Sequence, residues 1–253
     1  MSRRAPPSHR PSGRPGARSG RNASVATTTA NRLLAEGLAH HRLGRLDRAA
    51  AFYRDVLRVN PRHPDALHLA GLAAHQQGGQ AEALTLIERA IAADPRAAAY
   101  FNSQGAVLLA LDRPKDAEQS FRRAIELDPV YPEALNNLGN ALQRQDRLVD
   151  AAAACDRATE ARPDYAEAWC NRGRTLQLVE RAEDAVASFR QALAVRPDWG
   201  KAHRYLGDAL AAAGDREGRK LPTGVRLRLI PPMPRHRRRW PGCWSARTAW
   251  RTR

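Results

Sequence analysis

LNNLGNALQRQDRLVDAAAACDRATEARP, residues 135–163, holds most of one copy of a pattern that recurs along the chain. Leu135, Leu138 and Leu142 fall at helical spacing, and Asp146-Arg147 supplies a turn signal. Ala151, Cys155 and Ala158 mark a second amphipathic run, which Pro163 stops. Outward in both directions the same marks return every 34 residues. Glycine recurs at Gly37, Gly71, Gly105, Gly139, Gly173 and Gly207. Alanine follows at Ala49, Ala83, Ala117, Ala151 and Ala185, and proline at Pro61, Pro95, Pro129, Pro163 and Pro197. The spacing predicts paired helices in every unit. Small residues let the helices of a pair approach closely, and Tyr53, Phe121 and Phe189 fill the holes between units. A fixed period of this length means a repeat array.

The units resemble tetratricopeptide repeats. That family's pattern is an aromatic or Leu, Leu-Gly, a later Ala, an aromatic, another Ala and Pro. It stands here as Leu135, Leu138-Gly139, Ala151, Cys155, Ala158 and Pro163, and in the next unit as Trp169, Arg172-Gly173, Ala185, Phe189, Ala192 and Pro197. The departures are Cys155 and Ile87 for the aromatic and Val56 for the second Ala. The resemblance implies an all-α fold, a right-handed α-solenoid of helix-turn-helix repeats whose first helices line the concave face. Five repeats are expected at 30–63, 64–97, 98–131, 132–165 and 166–199, with a partial sixth at 200–217.

Composition separates this array from its flanks. The 253 residues carry 42 Lys and Arg against 26 Asp and Glu, a formal charge of +16. Residues 1–29 hold six Arg and no acid, and residues 218–253 hold ten Arg, one Lys and no acid, so 30–217 has a net charge of −1. A nucleic-acid-binding domain would build its positive charge into one face of the fold. Nucleic acid is therefore not the expected partner, although Arg237-Arg238-Arg239-Trp240 is a segment of the kind that neutralises phosphates and stacks on bases. Residues 1–29 read as a disordered Arg/Pro/Ser-rich tail.

Residues 218–253 break off the sixth repeat after Gly214-Asp215 and carry five Pro, three Trp and no apolar period. Two readings stand: a native disordered basic tail, or translation out of frame. In favour of the second, the codons of 218–224 read one base later can encode a stretch like Gln119–Ala124. No apolar run reaches the length of a membrane span, and the basic N-terminus has no apolar signal core. Three cysteines without metal spacing fit a reducing, cytoplasmic setting, and a low Lys share reads as the codon bias of a GC-rich, bacterial genome.

No nucleophile–base motif, phosphate loop or metal spacing marks a catalytic centre, so no cofactor, metal or catalytic residue is assigned. Function is expected on the groove, where the resemblance implies that positions 2, 5, 6, 9, 12 and 13 of each first helix point inward. These positions hold Leu34, Leu38, His41, His68, Leu72 and His75 early in the array. Later they hold Asn102, Asn136, Asn137, Asn140, Gln143, Arg144, Asn171, Arg174, Gln177, Lys201 and Arg204. Amides donate to and accept from a peptide backbone, so the Asn set reads as a ladder holding an extended peptide or partner helix.

The string LNNLGNALQRQDR is similar to repeats attached to O-linked N-acetylglucosamine transferases. That resemblance implies an alternative role as the substrate-recognition arm of a glycosyltransferase, methyltransferase or sulfotransferase. A C-terminal carboxylate clamp, as in chaperone-binding members, is matched by Asn140, Asn171 and Lys201 but not by Asn136 and Tyr205, where cations are required. His41, His68 and His75 are candidates for a pH-sensitive or metal-binding patch. Cys155 reads as an inert packing thiol. At the C-terminal end Leu206 and Leu210 lack a covering helix, so self-association is expected there.

Overall fold

A computed structural model describes the backbone of residues 16–218 and the side chains of 28–214. Among these residues are eleven helices and no strand: α1 (Gly16–Arg42), α2 (Leu46–Val59), α3 (Pro64–Gln76), α4 (Gln80–Ala93), α5 (Ala98–Ala110), α6 (Pro114–Leu127), α7 (Pro132–Gln143), α8 (Leu148–Ala161), α9 (Ala166–Leu178), α10 (Ala182–Val195) and α11 (Gly200–Gly218). Odd-numbered helices are the first, and even-numbered the second, of each expected repeat. The helix α1 runs through the boundary placed at residue 30. Both readings of 218–253 concern residues outside the described chain, apart from Gly218 at the end of α11.

The local chemistry of the turns explains the regular pairing. Each first helix from α1 to α9 ends at a residue with positive φ, namely Gly44, Gly78, Asp112, Asp146 and Glu180, all at the same position of the repeat. The next amide reaches back, as Arg113 N to Leu108 O and Arg147 N to Leu142 O at 2.9 and 3.0 Å, and closes the helix end. Second helices end instead on extended Asn60, Asp94 and Asp128. Their side chains accept the amides of Arg62, Arg96 and Val130, forming Asx turns ahead of the next helix.

Packing then sets the stack. Each helix contacts the next in sequence, and α3–α5, α5–α7, α7–α9 and α9–α11 also touch. Second helices make no comparable contact with one another among the described residues. The array is therefore narrower on the first-helix side, which forms its inner, concave face. The core runs as a line of small clusters, from Ala49, Tyr53 and Ala73 through Phe121, Leu138 and Leu142 to Phe189 and Ala209.

Five of the recurring glycines sit at the close approach inside a pair. A Cβ at Gly37, Gly71, Gly105, Gly139 or Gly173 would stand 2.5–2.7 Å from Tyr53, Ile87, Phe121, Cys155 or Phe189, the residue sixteen places on. At Gly207 a Cβ meets nothing. Two of the small residues of α11 are fully buried, Ala202 and Ala209, so this helix covers repeat five, while Leu210 is 44% exposed.

The two kinds of glycine respond oppositely to one methyl group. Gly105→Ala is expected to lower stability by about 1–3 kcal/mol, because the Phe121 ring is fully buried and has no room to retreat. Gly207→Ala is expected to leave stability unchanged or raise it by about 0.5–1 kcal/mol through helix propensity. Urea unfolding followed by circular dichroism measures both.

Candidate functional site

On the inner face the polar residues come in pairs separated by 35 positions, one more than the repeat length. This offset joins position 5 of one first helix to position 6 of the next. His68 Nε2 pairs with Ser103 Oγ at 2.8 Å. Asn137 Nδ2 donates to Asn102 Oδ1 at 3.0 Å, and Asn171 Nδ2 donates to Asn136 Oδ1 at 2.9 Å. Asn102 and Asn136 also interact with the hydroxyls of Tyr131 and Tyr165. Burial pushes the Tyr131 hydroxyl up to about 12 and that of Tyr165 higher still, so both remain protonated hydrogen-bonding groups.

A second line at the same offset joins position 12 to position 13. His41 Nε2 lies 3.2 Å from Gln76 Oε1, while its Nδ1 lies 3.1 Å from Tyr53 Oη. A neutral imidazole serves both, donating to Gln76 and accepting from Tyr53. Arg144 donates to Leu109 O at 3.0 Å and so caps the end of α5. In the next repeat Leu178 occupies the reaching position, and the buried Gln143 Nε2 has no hydrogen-bond partner among the described residues.

The expected ladder thus divides. Asn136 is buried, 4% exposed, and Asn102 accepts from Asn137, so both serve junctions between repeats. Half-buried Asn137 and Asn171 spend one N–H on those junctions and keep their carbonyl oxygens and second N–H groups. Asn140 and Gln177 are half-buried and have no side-chain hydrogen bond among the described residues. Further along, Arg174, Lys201 and Arg204 gather round the Tyr205 ring, 5.7, 5.7 and 5.3 Å from its centre. The family resemblance implied that all of these line one face. It did not show the internal pairing, whose only signal was complementary polar residues at period plus one.

The remaining candidates are structural. Cys155 is buried against the Gly139 backbone, and burial pushes its thiol up to about 12, far from a reactive thiolate. Cys170 is also buried. His75 bonds Gln80 on its own repeat, away from the His41–Gln76 and His68–Ser103 pairs. Among the described residues no group of three or more His, Cys, Asp or Glu is placed to hold a metal ion, and no helix is long and apolar enough to cross a membrane.

A model of the tetratricopeptide repeat matches residues 34–98, 102–166 and 170–217. The chain belongs to the tetratricopeptide repeat family. This fold is typically a non-catalytic scaffold. Solved structures agree. YrrB, a tetratricopeptide repeat protein with an unusual peptide-binding site, is 27% identical at a TM-score of 0.56, over 77% of this chain and 97% of that one. PilW, a type IV pilus biogenesis factor, is 21% identical at a TM-score of 0.68, over 74% and 87%. The thermophilic protein TTC0263 of Thermus thermophilus is 20% identical at 0.62, over 72% and 99%. A search of curated proteins finds no match.

Within these tetratricopeptide repeats the second junction is expected to be acid-sensitive. Burial pushes the His68 imidazole down to about 4, outweighing the pull of Asp65, and lowers His41 as well. An unfolded chain takes up the His68 proton near pH 6.5, the folded chain only near 4. Stability is therefore expected to fall as pH drops from 6.5 towards 4, by up to about 3 kcal/mol for His68 alone. His68→Asn should flatten that slope; urea midpoints at about pH 7, 5.5 and 4.5 measure it.

Proposed function

We propose that this chain is a cytoplasmic, non-catalytic scaffold that holds an extended peptide or partner helix along its inner face. The observation that carries the reading is the row of amides running along the first helices. Asn137 and Asn171 are oriented by their neighbours and still offer a carbonyl and an N–H each, while half-buried Asn140 has both groups uncommitted. A peptide backbone presents the matching acceptor and donor at every residue, so such a row grips a chain with little regard to its side chains. Orientation by the junction bonds lowers the entropy lost on binding. The peptide-binding site of YrrB, the relative that is 27% identical, supports the same assignment.

The ligand-facing set is then Asn137, Asn140, Asn171, Arg174 and Gln177, continued by Lys201 and Arg204. Asn102, Asn136 and Arg144 act behind it, holding the repeats in register, and Gln143 lies beside it with its amide N–H groups buried. Asn140 is the cleanest probe, because no described junction depends on it. A peptide selected from a displayed library on the full chain is expected to bind Asn140→Ala at least about fivefold more weakly, near the 1 kcal/mol of one hydrogen bond. Anisotropy titration of the labelled peptide measures this, and equal affinity for both proteins would overturn the assignment.

The end of α11 adds a second contact surface for another copy of the chain. Among the described residues nothing lies within 4 Å of a Cβ built on Gly207, and Leu210 is exposed. Light scattering is expected to show a mass that grows with concentration and a return to monomer in Leu210→Glu. A monomer at all concentrations would remove this part of the proposal.

A further inference from the structure

The inner face ends in a concentration of positive charge that nothing in the described chain neutralises. Arg174 comes from α9, while Lys201 and Arg204 come from the first turns of α11. All three approach the same Tyr205 ring, whose other neighbour is Phe189 at 5.7 Å. Tyr205 is half-buried, and the three cations lie over its ring.

Several arginines of the neighbouring repeats find carboxylates. Arg147 pairs with Glu118 and Asp150, Arg162 with Glu133, Arg172 with Asp156, and Arg181 with Asp184. Among the described residues no carboxylate forms an ion pair with Arg174, Lys201 or Arg204. Of the acids on these two helices whose side chains are described, Glu167 pairs with Arg196, and exposed Asp208, one turn beyond Arg204, forms no ion pair with the three cations. Residues 219–253 contain no acid at all. Three like charges converging on one ring repel each other, which costs free energy that an incoming anion would relieve.

We propose that this corner binds an acidic segment of a partner polypeptide, with side-chain carboxylates of two or three Asp or Glu residues seated on Arg174, Lys201 and Arg204. The inference rests on the peptide-groove reading and deepens it by naming the ligand's chemistry. Position decides for a peptide over a nucleic acid. Asn137 and Asn171 occupy the position of Tyr205 in the two preceding repeats, and Asn140 occupies that of Arg174. An extended chain bound by the amides therefore leads directly into the cationic corner. A phosphate backbone would need cations along its whole track, whereas the array as a whole is near neutral. The partner has a neutral stretch followed by an acidic cluster. It is held by its backbone over the first part and by charge over the second.

The experiment uses the full chain and two labelled peptides of equal length. One carries a Gly/Ser stretch followed by four Glu, and the other is its Gln twin, with both ends blocked so that no terminal carboxylate is offered. The Glu peptide is expected to bind at least about tenfold more tightly than the twin at low ionic strength, and the advantage should shrink with salt. The variant R174Q/K201Q/R204Q should lose that advantage and keep the twin's weak binding. A charge-matched control, R237Q/R238Q/R239Q, should keep the advantage, since its substitutions lie in the basic C-terminal segment.

Equal affinity for the two peptides overturns the proposal, as does an equal loss in both triple variants. Binding of a decathymidylate that is tighter than the Glu peptide and lost in the R174Q/K201Q/R204Q variant would assign the corner to nucleic acid and also overturn it. If Asn140→Ala weakens the library-selected peptide while the Glu advantage is absent, the groove reading stands and only the acidic corner fails. If the Glu advantage is present and Asn140→Ala has no effect, the corner is real and the amide row is not the groove.

Discussion

Everything in this array depends on how closely the two helices of a pair can approach. At the recurring glycine the ring or side chain of the second helix sits where a Cβ would be, 2.5–2.7 Å from its ideal position. Without that contact, Tyr53, Phe121 and Phe189 would have to leave the fully buried sites they occupy. The pair would then splay, and the spacing between repeats would go with it. Close packing of this kind is intolerant of added volume, which is why the period is marked by a residue with no side chain.

Once pairs have a fixed thickness, residues one period plus one apart come into register across each junction. The inner face uses that register twice, at positions 5 to 6 and 12 to 13. The bonds change character along the chain, from His68–Ser103 to Asn102–Asn137 and Asn136–Asn171. The buried groups satisfy each other while the half-buried ones retain a free carbonyl and N–H. Asn137 and Asn171 therefore both join repeats and present a patterned surface, whereas Asn140 takes no part in a junction.

Much of this was legible before any coordinates. Glycine, alanine and proline at one period determine the helices and their pairing, because those follow from steric rules that act locally, while the inner positions were implied by the family resemblance. The division of labour among the asparagines was not legible. Asn136 and Asn137 are adjacent and chemically identical and both bond across a junction, yet one is buried and the other half-buried. Neighbouring side chains on a helix point about 100° apart, and which of the two is covered depends on how the adjacent repeat packs against α7. Gln143 is a similar case. Its buried N–H is orphaned because Leu178 replaces a polar residue a full repeat away. The convergence on Tyr205 also needed the fold, since Arg174 lies 31 residues before it.

The contrast between the two edges of the stack has a mechanical side. First helices touch and bond across every junction from α3 to α9, whereas second helices show no comparable contact with one another. Each second helix packs on the next first helix but not on the next second helix, so bending is expected to open the outer side more readily than the bonded inner one. The softest deformation of the array then widens or narrows the outer gaps, changing curvature while leaving the spacing of the inner rows almost constant. A bound chain could thus ride on a track of fixed pitch while the array bends around it.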